Sequence, residues 1–362
     1  MSTSGNTARG FFPLEVAAVE RQTEDSVAVA LTVPPEHKER FGYRPGQFLT
    51  LRQEIGGEDV RRTYSLCSAP DEALLRVGIK EIPDGRFSTF ANRELRAGDV
   101  LEVMPPDGRF GTLAEDVASE GAHYLGIAAG SGITPILSIV KSTLRSEADS
   151  RFTLIYGNRT TQSVMFREEL EGLKNRYPRR LQLFYIMSRE RQDIELLNGR
   201  IDEDKCERLF GAVIDVPSLD AAFLCGPQGM VETARESLAK HGMAADRVKA
   251  ELFTVAGAAP PPIVRREEAT GDVRIEVKLD GHSTEIFGFR DEYVLDTALR
   301  AGLDLPFACK GGVCCTCKAK LIDGNVEMSV NYGLEPDEIA DNYVLTCQAL
   351  PRTDTVAIDY DG

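Results

Sequence analysis

The stretch HYLGIAAGSGITPILSIVKSTLR, residues 123–145, decides how the chain is read. A short apolar run ends in a glycine turn and opens directly into an apolar, helix-like segment. The same rhythm returns in FTLIYGN with VMFREELEGLKNRY, in LQLFYIMS with DEDKCERLF, and in AAFLCGP with GMVETARESLAKHG. Such alternation from about residue 121 to 255 predicts a parallel sheet covered by helices on both faces, with ligands at the carboxyl ends of its strands. Gly130-Ser131-Gly132-Ile133-Thr134-Pro135 lies at such an end, where a glycine turn lets a dinucleotide approach the backbone; a plain tight turn is the alternative.

Toward the N-terminus, from residue 11 to about 112, the pattern changes to short alternating strands: PLEVAAVE, SVAVALTV, GQFLTLRQ, RRTYSLCS, LLRVGIKE and VLEVMPP. Turns of the PPE, RPG, PDG and AGD kind separate them, which predicts a small antiparallel β-barrel or sandwich. One helix-like segment, FSTFANREL, interrupts the strands and opens on Ser88.

Toward the C-terminus, AGAAPPPIVRREEATG (residues 256–271) has three successive prolines and a charged, small-residue tail, the composition of a linker. Residues 272–362 begin with a hairpin-like pair, VRIEVKLD and STEIFGF around a GH turn, followed by a helix, YVLDTALRAG. Of eight cysteines, Cys67, Cys206 and Cys225 are scattered, whereas Cys309, Cys314, Cys315, Cys317 and Cys347 crowd this end. A cytoplasmic chain keeps its thiols reduced, so a disulfide framework is not expected. The spacing C-x4-C-x2-C, with 29 more residues before the last cysteine, is that of a plant-type 2Fe-2S centre held by Cys309, Cys314, Cys317 and Cys347. A four-cysteine zinc site is the alternative, but structural zinc usually takes two paired knuckles and one pair fits here. Small residues, Ala308, Gly311, Gly312 and Thr316, let backbone N–H groups approach the sulfides. Cys315, between two ligands, is expected to point away. Such a cluster passes one electron at a time, so a source of single electrons must lie upstream.

With 362 residues, two or three domains are expected. Apolar residues at 42% and charged residues at 27% exclude a disordered or fibrous chain. A net charge of −15 argues against a nucleic-acid binder that works by phosphate neutralisation. The start, MSTSGNTARGFF, lacks an apolar signal region, and no apolar run approaches the roughly 18 residues of a membrane span. A soluble cytoplasmic protein with no membrane partner is expected. Residues 272–362 carry 8 Lys/Arg against 17 Asp/Glu, more than half of the net charge. Such acidity would steer a basic patch on an electron acceptor, mostly by raising the on-rate, or would serve solubility alone.

In the barrel, Arg61-Arg62-Thr63-Tyr64-Ser65-Leu66 resembles the R-x-Y-S motif of the ferredoxin-NADP reductase superfamily. Arg62 suits a flavin pyrophosphate, Tyr64 offers a flat face for the isoalloxazine, and Ser65 a hydroxyl near its reactive nitrogen. Gly78-Ile79-Lys80, followed by Gly85-Arg86-Phe87-Ser88-Thr89, resembles the family's second flavin element, in which a helix start meets the pyrophosphate. The segment PPDGRFG, residues 105–111, looks like the family's loop near an adenine, which favours FAD over FMN. The glycine turn resembles the family's G-x-G-x-x-P loop. The resemblance places Cys225-Gly226-Pro227 beside the nicotinamide and Phe253 against the flavin, although a core phenylalanine fits Phe253 as well. Ser188-Arg189, with help from Asn158-Arg159, suits the 2′-phosphate of NADPH. The adjoining Glu190 leaves NADH open.

The order of modules resembles the three-cofactor reductases of bacterial multicomponent oxygenases over nearly the whole chain. It implies an FAD-binding β-barrel at 1–115, an NAD(P)-binding α/β domain at 116–255 and a plant-type ferredoxin of β-grasp type at 272–362. Within that family the tail, especially NYGLEPDE before Cys347, is most similar to the reductase subunits of phenylacetyl-CoA epoxidase complexes. Reductases of 3-ketosteroid or aromatic-ring hydroxylases and of hybrid-cluster proteins fit the general motifs equally. The implied chemistry runs from NADPH to FAD to 2Fe-2S to an oxygenase, with Tyr64, Ser65 and Cys225 at the hydride-transfer position. An iron-sulfur redox sensor is the alternative of another class, against which the nucleotide loop and Cys225 argue.

Overall fold

The computed structural model describes residues 10–111, 121–254 and 271–362. The linker assigned to 256–271 lies outside the described residues except for Gly271, and so does the boundary placed at 115/116. The chain forms two compact units. The larger, built on residues 12–60 and 64–254, contains two sheets; residues 271–362 form the core of the smaller.

The first sheet has strands β1 (Phe12–Thr23), β2 (Ser26–Thr32), β3 (Phe48–Ile55), β4 (Glu58–Ser65), β5 (Leu75–Lys80) and β6 (Val100–Val103). Their order is β4-β3-β6-β1-β2-β5. A bridge between Leu66 and Val77 joins the end of β4 to β5, which closes the sheet into the expected antiparallel barrel. Alternation assigns the two faces of β2. Val27, Val29 and Leu31 enter the barrel core with Leu14, Leu51 and Leu101, while Ala28 on the opposite face joins the core of the neighbouring sheet. Helix α1 spans Arg86–Arg93 with Gly85 as N-cap, so it opens two residues before the expected Ser88. Ser88 is instead buried in the first turn, where its hydroxyl donates to the Gly85 carbonyl at 3.0 Å and accepts from the Ile82 N–H at 3.3 Å.

The second sheet has β7 (His123–Ala129), β8 (Arg151–Asn158), β9 (Leu181–Met187), β10 (Ala221–Pro227) and β11 (Val248–Thr254), in the order β11-β10-β7-β8-β9. Every pair is parallel. The order reverses direction between β7 and β10, the place where a ligand crevice opens in a doubly wound sheet. Helices α2 (Ile133–Ser146) and α3 (Arg167–Arg176) cover one core, and α4 (Glu203–Ala212) and α5 (Gln228–Lys240) the other. Two details differ from expectation. Helix α3 does not begin at Val164: Val164 and Met165 are buried, and Phe166 caps the helix with φ +57°. β11 adds an edge beyond β10 that is absent from the strands expected on sequence.

The smaller unit holds β12 (Val273–Leu279), β13 (His282–Gly288), helix α6 (Val294–Arg300), β14 (Lys318–Asp323), β15 (Val326–Met328), helix α7 (Pro336–Ala340), β16 (Tyr343–Leu345), β17 (Ala349–Pro351) and β18 (Thr355–Asp359). Five strands run β13-β12-β18-β14-β16, with β12 and β18 parallel and the other neighbours antiparallel; β15 and β17 pair separately. The hairpin turn falls on Asp280-Gly281, both at positive φ, rather than on Gly281-His282. Among the described residues no helix is long and apolar enough to cross a membrane.

Candidate functional site

The reversal point brings the glycine turn and the end of β10 together. A Cβ on Gly132 would stand 2.2 Å from the Cys225 carbonyl oxygen, so this position tolerates no side chain. The Tyr156 hydroxyl donates to the Gly130 carbonyl at 2.8 Å and Thr134 Oγ1 to the Ser131 carbonyl at 3.0 Å, which pin the turn. Pro135 sits in the first turn of α2, where its missing N–H costs nothing. Gly226 and Pro227 lead from β10 into α5, with Pro227 as its N-cap.

The barrel meets this turn at Gly78, where a Cβ would lie 2.6 Å from Thr134 Cγ2. Ile79 is buried in the barrel core. Tyr64 is half-buried, its ring centroid 5.6 Å from that of Phe87. Arg62 is exposed and bonds the Arg61 carbonyl at 2.7 Å, while Thr63 is half-buried. Two other candidate cations are occupied by acids: Lys80 pairs with Asp25 at 3.0 Å, and Arg86 binds Glu58 and the Ile55 carbonyl. The N–H groups of Arg86, Phe87 and Ser88 at the start of α1 remain the best anion-facing feature on this side, whereas the Thr89 N–H, also expected there, is taken by the Gly85 carbonyl at 2.8 Å. The 105–111 loop folds back on the barrel, through Gln47 Nε2 to the Gly108 carbonyl at 3.1 Å and a bridge between Phe48 and Asp107.

Ser65, buried at the end of β4, lies close enough to the Glu251 carboxyl to favour its charged form, and Glu251 is the registered neighbour of Cys225 across β10 and β11. Three strands thus converge on one polar cluster. Glu251 Oε2 is sealed from solvent with no partner, and burial pushes the carboxyl up to about 8, against the smaller opposing effect of Ser65. Burial, then the nearby Glu251, raises the Cys225 thiol well above its usual range, so it stays a neutral thiol. Phe253 lies near the end of the same edge strand with 37% of its surface exposed, which excludes the core alternative. Sequence reasoning passed over Glu251. Its one signal was a carboxylate inside the run AELF, two residues before Phe253.

At the far side of the sheet, Ser188 Oγ donates to the Asn158 carbonyl at 3.2 Å, and the Arg189 N–H to the Arg159 carbonyl at 2.8 Å. Asn158 is buried with an unpartnered Nδ2, whereas Arg159, Ser188 and Arg189 are exposed. Glu190, the acid that leaves NADH open on sequence grounds, is engaged by the Thr161 N–H at 2.8 Å and by its hydroxyl at 2.5 Å. These bonds lower its carboxyl and hold it as a local cap.

In the smaller unit, Thr346 brings the distant cysteine home: its N–H and Oγ1 both donate to the Cys317 carbonyl, at 3.2 and 3.0 Å. Gln348 Nε2 reaches the Lys310 carbonyl at 2.9 Å, which ties the Cys347 segment to the loop of Cys309. Among the described residues no group of three or more His, Cys, Asp or Glu side chains gathers as for a metal ion. The thiols neighbour one another in two pairs, Cys309 with Cys314 and Cys317 with Cys347, each pair close enough to shift the ionisation of its members in opposite directions. The Gly311 N–H points at the Cys309 sulfur at 3.3 Å, and Gln348 Nε2 lies 3.7 Å from the Cys347 sulfur. Two neighbouring thiol pairs suit two irons better than one zinc. Cys315, at φ +57°, packs away from them: a Cβ on Gly333 would meet its sulfur at 2.5 Å.

Three family models match in order: an oxidoreductase FAD-binding domain over residues 13–111, an oxidoreductase NAD-binding domain over 127–236, and a 2Fe-2S iron-sulfur cluster binding domain over 277–352. The chain is 46% identical to a component of the 1,2-phenylacetyl-CoA epoxidase of Escherichia coli, over 97% of this chain and 98% of that one. It is 36% identical to the ferredoxin reductase component of 3-ketosteroid-9-alpha-monooxygenase from Rhodococcus rhodochrous, over 96% of each. Phthalate dioxygenase reductase shares the fold, with a TM-score of 0.59 at 22% identity over 97% of this chain and 98% of that one. An intact type IV self-sufficient cytochrome P450 monooxygenase does so at 0.67 and 21%, over 96% of this chain and 41% of that one. The chain therefore belongs to the family of oxygenase reductase components that carry electrons from NAD(P)H through FAD to a 2Fe-2S cluster.

Proposed function

We propose that this chain is the reductase of a phenylacetyl-CoA ring 1,2-epoxidase and that NADPH is its donor. The observation that carries the acceptor is the 46% identity to the epoxidase component over essentially both whole chains, against 36% for the 3-ketosteroid reductase component. Arg159, Ser188 and Arg189 at one end of the sheet favour a 2′-phosphate, and the capture of Glu190 by Thr161 removes the acid that would compete for a ribose hydroxyl.

When bound, FAD supplies the conversion of a two-electron hydride donor into single electrons, and the 2Fe-2S cluster carries them one at a time. The chain's own part is positioning. The N–H groups opening α1 hold the pyrophosphate, Gly78 lets the barrel approach Thr134 of the glycine turn, and Tyr64 and Phe253 offer flat faces to the isoalloxazine; the motif resemblance adds Arg62 as a pyrophosphate residue. The turn Gly130–Pro135 and Gly226-Pro227 receive the nucleotide. Cys225 fills the space beside the nicotinamide as a neutral thiol. Glu251, beside Ser65, holds a proton at the same place below about pH 8. Cys309, Cys314, Cys317 and Cys347 hold the cluster. The division into 1–115, 116–255 and 272–362, joined by 256–271, belongs to the same proposal.

Anaerobic titration with NADPH and NADH, followed by absorbance and EPR, tests the donor and the internal route. Flavin bleaching and then a rhombic reduced-cluster signal are expected, with NADPH effective at the lower concentration. Equal response to NADH would refute the donor assignment. Coupled turnover with purified phenylacetyl-CoA epoxidase tests the acceptor; turnover with a 3-ketosteroid monooxygenase instead would overturn it.

A further inference from the structure

Lys141, on α2, is 1% exposed and is surrounded by the apolar core that includes Leu137, Val140 and Leu144. An ammonium survives there only if it is paired and hydrogen-bonded. Its Nζ donates to the Cys67 carbonyl at 2.9 Å, lies 3.2 Å from Glu72 and forms a close ion pair with Glu169. Those partners sit on separate pieces of chain. Cys67 follows β4, Glu72 lies between β4 and β5, and Glu169 is on α3. Arg145, also on α2, adds bonds to Asp71 at 2.8 Å and to Glu72 at 3.1 Å, and Arg76 of β5 reaches Glu169 at 3.3 Å. One turn before Lys141, Ser138 Oγ donates to the Ser68 carbonyl at 2.6 Å.

The pattern follows from where the barrel chain leaves its ladder. Beyond Ser65 the carbonyls of Cys67 and Ser68 turn toward α2 and need donors, and α2 supplies one to each. Apolar contact is non-directional and would let the two surfaces slide, whereas these bonds fix their register. Helix α2 is in turn fixed at its other end, where Gly132 touches the Cys225 carbonyl.

We infer that Lys141 is a positioning residue for hydride transfer, holding the Ser65 segment of the barrel in register with the glycine turn and Cys225. This rests on the reading of Ser65 and Cys225 given above. The test compares Lys141→Met, Lys141→Arg and Lys141→Met/Glu169→Gln with the parent, each loaded with FAD. The readouts are the anaerobic stopped-flow rate of flavin reduction at saturating NADPH, the Kd for NADP⁺, and the long-wavelength charge-transfer absorbance of the flavin–nicotinamide complex. Lys141→Met is expected to keep FAD and a Kd within about twofold, while flavin reduction slows by about tenfold or more and the charge-transfer band weakens. Lys141→Arg should recover part of both. The double variant, which strands no carboxylate, should fold like the parent and remain slow. If Lys141→Met folds poorly, Ser138→Ala takes its place and is expected to slow flavin reduction by about threefold at unchanged Kd. A folded Lys141 variant with rate and charge-transfer band within about twofold of the parent overturns the inference. Ser65→Ala separates the two layers of argument: if it slows flavin reduction and the Lys141 variants do not, only the positioning role fails; if it too is without effect, the reading of Ser65 fails with it.

Discussion

Replacing Gly132 by alanine tests the close approach on which the nucleotide crevice depends. The residue has φ −61° and ψ −7°, a conformation open to any amino acid, so the cost is one of space alone. The added methyl would stand 2.2 Å from the Cys225 carbonyl oxygen and 2.6 Å from its carbon, both backbone atoms without a rotamer to change. An ordinary carbon–oxygen contact is about 3.3 Å, so the two segments must separate by about 1 Å. β10 is paired to β7 on one side and to β11 on the other, so the turn is the part that yields. Overpacking of this kind costs about 1–3 kcal/mol of stability. A displacement of about 1 Å at a reacting centre slows the chemical step by about a hundredfold. The assay is anaerobic stopped-flow flavin reduction at saturating NADPH, with thermal unfolding measured alongside. Gly130→Ala is the contrast: its φ is +55° with no atom within 4 Å of the added Cβ, so it should cost about 1 kcal/mol through backbone conformation and leave the approach nearly intact. A Gly132→Ala protein that reduces flavin within about twofold of the parent, with an unshifted midpoint, would refute the steric argument.

Glu251→Gln should change the pH dependence of stability. The folded chain holds a proton on Glu251 up to about pH 8, whereas the unfolded chain releases it near 4.5. Folding is therefore most favourable below the lower value and loses stability as pH rises to the upper one. Removing the titration should make the variant more stable than the parent above pH 8, by at most about 5 kcal/mol, with the difference vanishing near pH 4.5. Parallel stability curves in urea across that range would rule out a buried proton. Cys347→Ala should retain NADPH-dependent flavin bleaching and lose both the reduced-cluster EPR signal and delivery to the oxygenase; full coupled turnover by this variant would remove Cys347 from the ligand set.

Much of the architecture was legible because it is periodic. Strands such as Ser26–Thr32 and helices such as Ile133–Ser146 carry their spacing in consecutive residues, and a glycine turn between strand and helix marks a ligand edge without knowledge of the fold. Misreadings came where local pattern and tertiary demand part. VKAELFT, with Lys249 and Glu251 breaking the apolar run, does not read as a strand; it becomes one at the sheet edge, paired on one side to β10. Val164 and Met165 look like helix, yet the core takes Val164 as extended chain and Met165 in a turn, and Phe166 accepts a left-handed backbone to start α3.

The four cysteines proposed as cluster ligands, the order of the three modules and the glycine turn of the nucleotide domain were legible in the sequence alone, since each is a matter of spacing along the chain. What only the tertiary structure decided are meetings between distant residues. Ser65, Cys225 and Glu251 lie on three strands and become a cluster because β10 and β11 pair in register and β4 ends against them. Lys141 reads as an ordinary surface lysine of an amphipathic helix, and it is buried because one barrel carbonyl and two carboxylates from elsewhere in the chain close over it. Burial turns such side chains into functional groups: away from water, a carboxyl holds its proton and an ammonium must be bonded in one direction, and neither effect is written in local sequence.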